Sequence, residues 1–207
     1  MNQVKRVARS GIFGLVLSAS LLGLSALSVL LLSGCDYKTK FTNTDITGSA
    51  LTAPFQLKDL SGEVRTLDSY KGQVVAMFFG YTHCPDVCPV TLQQWSQIRQ
   101  ALGDDGKDLQ VIFVSVDPKR DTPELLRNYV PKFDQSFQAL TGTEEELQPL
   151  LKGLRVFSQK VDGKVEGQYL MDHSTTSYVF DKTGALRLLV RHNADIQPVV
   201  KDVKQLL

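Results

Sequence analysis

A chain of 207 residues, 43% apolar and 22% charged, has the composition of one ordinary globular domain, and nothing in it is extreme. The formal net charge is +1, and without Lys5, Arg6 and Arg9 at the N-terminus the remainder holds 20 basic against 22 acidic residues. A near-neutral balance implies no basic surface and argues against a nucleic-acid partner.

The chain opens with a basic stretch and then runs from Gly11 to Leu32 without a charge, the pattern of a targeting or membrane segment. About 20 apolar residues can cross a bilayer, so an uncleaved anchor is one reading. The ending Leu32-Ser33-Gly34-Cys35 resembles the bacterial lipobox, in which small residues precede a cysteine that is diacylated and becomes the new N-terminus. On that reading residues 1–34 are a lipoprotein-type signal peptide, and Cys35 carries lipid. Asp36 resembles the signal that keeps enterobacterial lipoproteins at the inner membrane. Either reading places the protein at the cell membrane with its globular part in the periplasm. Residues 35–53, rich in Thr, Ser and Asn, read as a lipidated flexible tether, and residues 54–207 as the domain.

From Pro54 onward short apolar strands alternate with amphipathic helices, which predicts an α/β domain with a central mixed sheet. Gln73–Phe79 reads as a buried strand, and Val90, Trp95, Ile98 and Leu102 fall at helical spacing after it. Gln110–Val116 is a second buried strand. Asp121-Thr122-Pro123-Glu124 has the form of an N-cap with an acid three residues on, opening a helix through Tyr129. Glu144–Leu154 is a further helix, and Val156–Val161 is extended with a turn at Asp162-Gly163. Ser177–Asp181 and Ala185–Arg191 form a hairpin across Lys182-Thr183-Gly184, and a helix over Ile196–Leu207 closes the chain. A β-α-β core followed by a hairpin and a terminal helix is the thioredoxin-like fold, with an inserted segment between Thr141 and His173 before the final hairpin.

Between the first strand and its helix stands Cys84-Pro85-Asp86-Val87-Cys88-Pro89. With lipid on Cys35, Cys84 and Cys88 are a self-contained pair in an oxidising compartment. Residues four apart on a helix have Cβ atoms about 5–6 Å apart, whereas a disulfide prefers about 3.8 Å. Two sulfurs about 2.3 Å from one metal ion tolerate the wider spacing. The gap leans towards chelation without excluding a disulfide in the oxidised form, because Cys84 falls in the loop where the backbone can adjust. A helix N-terminus also favours thiolate over thiol, and Pro89 suits a first helical turn.

The order Thr82 to Pro89 (TxCPxxCP), Val114 to Thr122 (VSVDPxRDT) and Asp172-His173-Ser174 resembles the Sco/SenC family of copper chaperones, from about Ala53 to the C-terminus. The resemblance implies a membrane-tethered thioredoxin-like domain that binds one copper ion through Cys84, Cys88 and His173 and serves assembly of the dinuclear copper site of cytochrome c oxidase. Soft thiolates suit Cu(I), and imidazole with sulfur accommodates Cu(II), although zinc also fits this set. The implied partners are the copper-site subunit of the oxidase or another copper enzyme, a copper donor, and a periplasmic thiol reductant, since only the dithiol binds the ion. Asp172 is a candidate outer-shell acceptor for an imidazole N–H. His83, as a chain neighbour of Cys84, points away from the site, and His192 reads as a surface residue. Asp117, Arg120 and Asp121 match the family motif, with capping and loop closure as their expected roles.

Other functions remain open on these residues. A thiol-disulfide reductase would use Cys84 as the attacking thiolate and Cys88 as its partner, keeping the cysteines of a copper-site target reduced. Thr175 and Thr176 stand where thioredoxins place a cis-proline, which weighs against a general disulfide oxidoreductase. A peroxide-reducing enzyme lacks an assignable threonine and arginine around its cysteine.

Overall fold

The computed structural model describes residues 40–163 and 168–207; the signal-like segment and Cys35 lie outside the described residues. In chain order the described residues form β1 (Thr44–Asp45), a hairpin of β2 (Leu57–Lys58) and β3 (Val64–Arg65), β4 (Val74–Gly80), α1 (Val87–Leu102) and β5 (Leu109–Ser115). There follow α2 (Pro123–Tyr129), β6 (Gln138–Leu140), α3 (Glu144–Gly153), a hairpin of β7 (Ser158–Asp162) and β8 (Tyr169–His173), β9 (Ser177–Phe180), β10 (Leu186–Val190) and α4 (Ile196–Lys204). Six strands make one mixed sheet in the order β1-β10-β9-β4-β5-β6. Strands β4, β5 and β6 are parallel, while β9, β10 and β1 run antiparallel to their neighbours. The arrangement is thioredoxin-like, as the sequence pattern predicts.

Every residue of β4 and of β5 is buried, because helices cover both faces of the sheet. Side chains alternate along β4, so Val74, Ala76 and Phe78 pack with Leu92, Trp95 and Ile98 of α1 and Val199 and Val203 of α4. Val75, Met77 and Phe79 face the other way, against Leu147 and Leu150 of α3. Burying each such side chain contributes about 1.5–3 kcal/mol, so the continuous apolar run is what fixes β4 at the centre. Trp95 is fully buried and its indole N–H donates to Ser177 Oγ on β9 at 3.0 Å, tying α1 to the sheet beneath it.

Several local expectations are corrected. Val90 is 47% exposed and lies off the packed face of α1. The N-cap of α2 is Thr122, whose hydroxyl accepts from the Leu125 amide at 3.2 Å; Asp121 is not the cap and turns inward. The hairpin β2–β3 and strand β8 were not read from the sequence at all. The stretch from Lys40 to Ala53, expected as free tether, belongs to the domain, whose compact unit begins at Lys40. Both carboxylate oxygens of Asp202, fully buried on α4, accept from the amides of Thr42 and Asn43 at 2.7–3.0 Å, and Asn43 Nδ2 adds another bond at 2.8 Å. Strand β1 then pairs with β10, and Thr52 N donates to Gly153 O at 3.1 Å.

Asp202→Ala therefore strands three donors. It is expected to destabilise the domain by about 2 kcal/mol, the scale of hydrogen bonds to a charged group. Chemical denaturation checks the loss, and faster amide exchange at Ile46, which bonds Arg187 O, checks that the strap has come loose.

Candidate metal centre

Strand β4 ends at Gly80, and the chain turns at Tyr81 so that the Cys84 amide reaches Tyr81 O at 3.2 Å. Helix α1 then begins at Val87, which puts Cys84 in the loop and Cys88 in the first helical turn. The N-cap residue Asp86 makes no side-chain capping bond. Cys84 Sγ takes the place of that cap, accepting from the Cys88 amide at 3.5 Å. The three-residue gap thus serves two ends: it lets one sulfur cap the helix and carries the other on the first turn.

Cys88 is buried and Cys84 half-buried, and both are free thiols. The Cys84 thiol is held well below its ordinary range, chiefly by the hydrogen bond from Cys88 and then by His173 and the Asp86 and Cys88 amides, against the opposing effect of burial. Cys88 is pushed up by the same bond and by burial. The two shifts are opposite in sign, so Cys84, the sulfur nearer solvent, is the one that ionises more readily.

The third member arrives from β8. His173 closes that strand, its Nε2 lies 3.7 Å from Cys88 Sγ, and ligand atoms of Cys84, Cys88 and His173 all fall within 4.8 Å of one another. For ligand distances of about 2.3 Å to sulfur and about 2.0 Å to nitrogen, a trigonal ion holds sulfur and nitrogen about 3.8 Å apart. The donor set, two thiols and an imidazole, fits a soft or borderline ion. His173 Nδ1 lies 3.0 Å from Ser174 O, so that carbonyl fills the outer-shell role expected of Asp172 and leaves Nε2 for the ion. Asp172 is exposed and pairs across the hairpin with Gln159 on the opposite face from His173. Burial alone would lower the His173 pKa, but the hydrogen bond to Cys84 and the Ser174 carbonyl raise it above the usual value.

The other histidines stand apart. His83 is half exposed, with Nδ1 3.1 Å from Thr82 Oγ1 and 3.9 Å from Asp121 Oδ1. His192 is half-buried and lines a cavity of about 520 Å³ with Pro89, Val90 and Phe133, outside the ligand cluster.

Three supports have partners that the sequence reading did not identify. Asp121, 1% exposed, accepts from Thr82 Oγ1 at 2.6 Å, from the Thr82 amide at 3.1 Å and from Ser115 Oγ at 2.7 Å, so it fastens the cysteine loop to the end of β5. Gly80 lies so close to the site that a Cβ there would meet Cys88 Sγ at 2.6 Å and Phe113 Cε2 at 2.8 Å. A glycine ending a buried strand beside a cysteine motif was the available signal. Ser174 latches the hairpin base, its hydroxyl accepting from Phe157 N and its amide donating to Phe157 O, both at 3.0 Å.

Gly80→Ala is expected to cost about 1–3 kcal/mol of stability through overpacking and to shift the Cys88 sulfur, which denaturation and metal titration together detect. The polarised thiols make a separate forecast. Because the Cys84 pKa is lowered, its thiolate persists as pH falls, so alkylation of Cys84 by iodoacetamide stays nearly flat from about pH 8 to about pH 5, where an ordinary thiol slows about tenfold per pH unit. Peptide mapping by mass spectrometry should find Cys84 modified first and Cys88 slowly.

The SCO1/SenC family profile matches residues 43–207. Among curated relatives, the SCO2-like protein RP587 of Rickettsia prowazekii is 34% identical over 173 residues, covering 82% of this chain and 84% of that protein. The mitochondrial SCO1 homolog of Homo sapiens is 36% identical over 136 residues, 65% of this chain but only 45% of the human one. Among solved structures, ScoI of Bradyrhizobium japonicum with copper bound superposes with a TM-score of 0.70 at 39% identity, covering 76% of this chain and all of that one. Yeast Sco1 with copper bound gives 0.69 at 32% identity, covering 75% and 87%. On a match that runs through the cysteine loop, the Asp117–Asp121 loop and the His173 hairpin, the chain belongs to the SCO1/SenC family.

Proposed function

We propose that this protein is a membrane-tethered copper-binding protein that holds one copper ion on Cys84, Cys88 and His173 and assists assembly of the dinuclear copper site of cytochrome c oxidase. The observation that carries the reading is the convergence of two sulfurs and an imidazole nitrogen within 4.8 Å from three separate elements. Copper-bound relatives at 39% and 32% identity favour copper over zinc for the same donor set. The ion is cargo here. Thiolates suit Cu(I) and the added imidazole accommodates Cu(II), so the set keeps hold of the ion through a change of oxidation state. Metal binding needs both sulfurs deprotonated, and the ready ionisation of Cys84 means that loading releases few protons at neutral pH. Lipid on Cys35 supplies the tether, and the periplasm supplies a reductant that keeps the pair as dithiol.

The asymmetry of the cysteines supports a second reading, a thiol-disulfide reductase. Cys84 thiolate would attack a target disulfide to form a mixed disulfide, and Cys88 would resolve it. The products are the target dithiol and a Cys84–Cys88 disulfide, with both electrons drawn from this chain.

Copper titration of the reduced protein separates the two. One ion per chain, held about tenfold or more weakly by His173→Ala, a loss of about 1.4 kcal/mol or more, is the outcome expected of the copper reading, together with no tight binding by the disulfide form. Binding indifferent to His173, with disulfide reduction intact in that variant, favours the reductase.

A further inference from the structure

Histidine 173 sits on a two-stranded ribbon that shares no ladder with the six-stranded sheet. Something else must fix its register against the sulfurs. Tyr169, Met171 and His173 lie on one face of β8, so holding the first two aims the third. Met171 packs against the core cluster that includes Val114 and Leu151. Tyr169 is held by Arg120, from the loop between β5 and α2.

The contacts of Arg120 form a clamp. Its guanidinium stacks on the Tyr169 ring with 3.5 Å between Cζ and the ring centroid, and Nη1 donates to Tyr169 O at 2.8 Å. Nε donates to Asp117 Oδ2, while Asp117 Oδ1 accepts from the Tyr169 hydroxyl at 2.8 Å. The same guanidinium lies 5.5 Å from the ring of Tyr81, and Tyr81 meets the His173 ring edge to face at 5.8 Å. Arg120 therefore touches the ribbon at Tyr169 and the cysteine loop at Tyr81. One residue further on, Asp121 holds Thr82 of that loop.

We infer that Arg120 is a positioning residue: through Tyr169 and Tyr81 it sets where the His173 imidazole stands relative to the two sulfurs. The inference rests on the copper reading of the site. Arginine is required rather than any cation, because only a planar fork can stack on one ring while bonding a carboxylate and a carbonyl at once. Lysine keeps the charge and loses the fork.

The test is a double-mutant cycle on the reduced full chain, with Arg120→Ala, His173→Ala and both, read by Cu(I) competition against a chelator and by the nitrogen hyperfine pattern of bound Cu(II). Arg120→Ala is expected to weaken binding about 10–100-fold, the usual cost of losing outer-shell support. It should also reduce the imidazole nitrogen signal, while in the His173→Ala background it changes affinity less than about twofold. Arg120→Lys, the control against simple unfolding, should retain the thermal transition yet show the weakened nitrogen signal. Equal losses in both backgrounds, or an Arg120→Ala variant with the parent's affinity and spectrum, overturn the inference. Should the parent and His173→Ala bind copper alike, the copper reading itself falls. The clamp is then judged by amide exchange of β8 in the metal-free chain, faster in Arg120→Ala if it holds and unchanged if it does not.

Discussion

The site hangs on one buried carboxylate. Strands β4 and β5 run parallel, and their last residues, Gly80 and Ser115, stand opposite each other in the ladder. From that point the chain leaves the sheet twice, once as the cysteine loop and once as the loop to α2. Asp121 sews the two exits together by accepting from Thr82 and Ser115. Burial raises its pKa above the usual carboxylate value and the three donors offset that only in part, so the group is tolerated in the interior because it is so fully bonded. Remove that stitch and Thr82 loses its side-chain and backbone hydrogen bonds to the body of the domain.

Around this point the three donor residues stand on three different supports. Cys88 is locked, buried on α1 against Gly80 and Phe113. Cys84 is a loop residue that caps a helix with its sulfur, and His173 rides a ribbon separate from the main sheet. The ribbon is in turn fastened by Ser174 to Phe157 and by Arg120 to Tyr169, and the His173 imidazole is tied to the Ser174 carbonyl.

Much of this was legible in the sequence because the relevant signals are local. Apolar runs gave β4 and β5, helical spacing after the cysteines gave α1, and Lys182-Thr183-Gly184 gave the final turn, where Gly184 has a φ of 84°. Cys84, Cys88 and His173 could be singled out from donor chemistry and from the family likeness. Strand β8 could not be read, since Tyr169–His173 alternates half-buried and exposed residues on a ribbon packed by few apolar side chains. The inward turn of Asp121 and the stacking of Arg120 depend on contacts with residues about 40 to 50 positions away, and no local pattern encodes them. For the same reason a polar stretch rich in Thr and Asn looked like free tether. Its docking partner, Asp202, is some 160 residues distant.

That docked strap has a role beyond holding on. Strand β10 would otherwise be the outer strand of the sheet, with a row of open amides and carbonyls able to pair with any passing extended chain. Two-residue β1, short and flanked by bonds to Asp202 and Arg187, closes that row. A fragment begun at Pro54 would lose the cover and present β10 as a sticky edge. The cover depends on Thr42 to Ile46, the residues that dock on Asp202 and bond along β10.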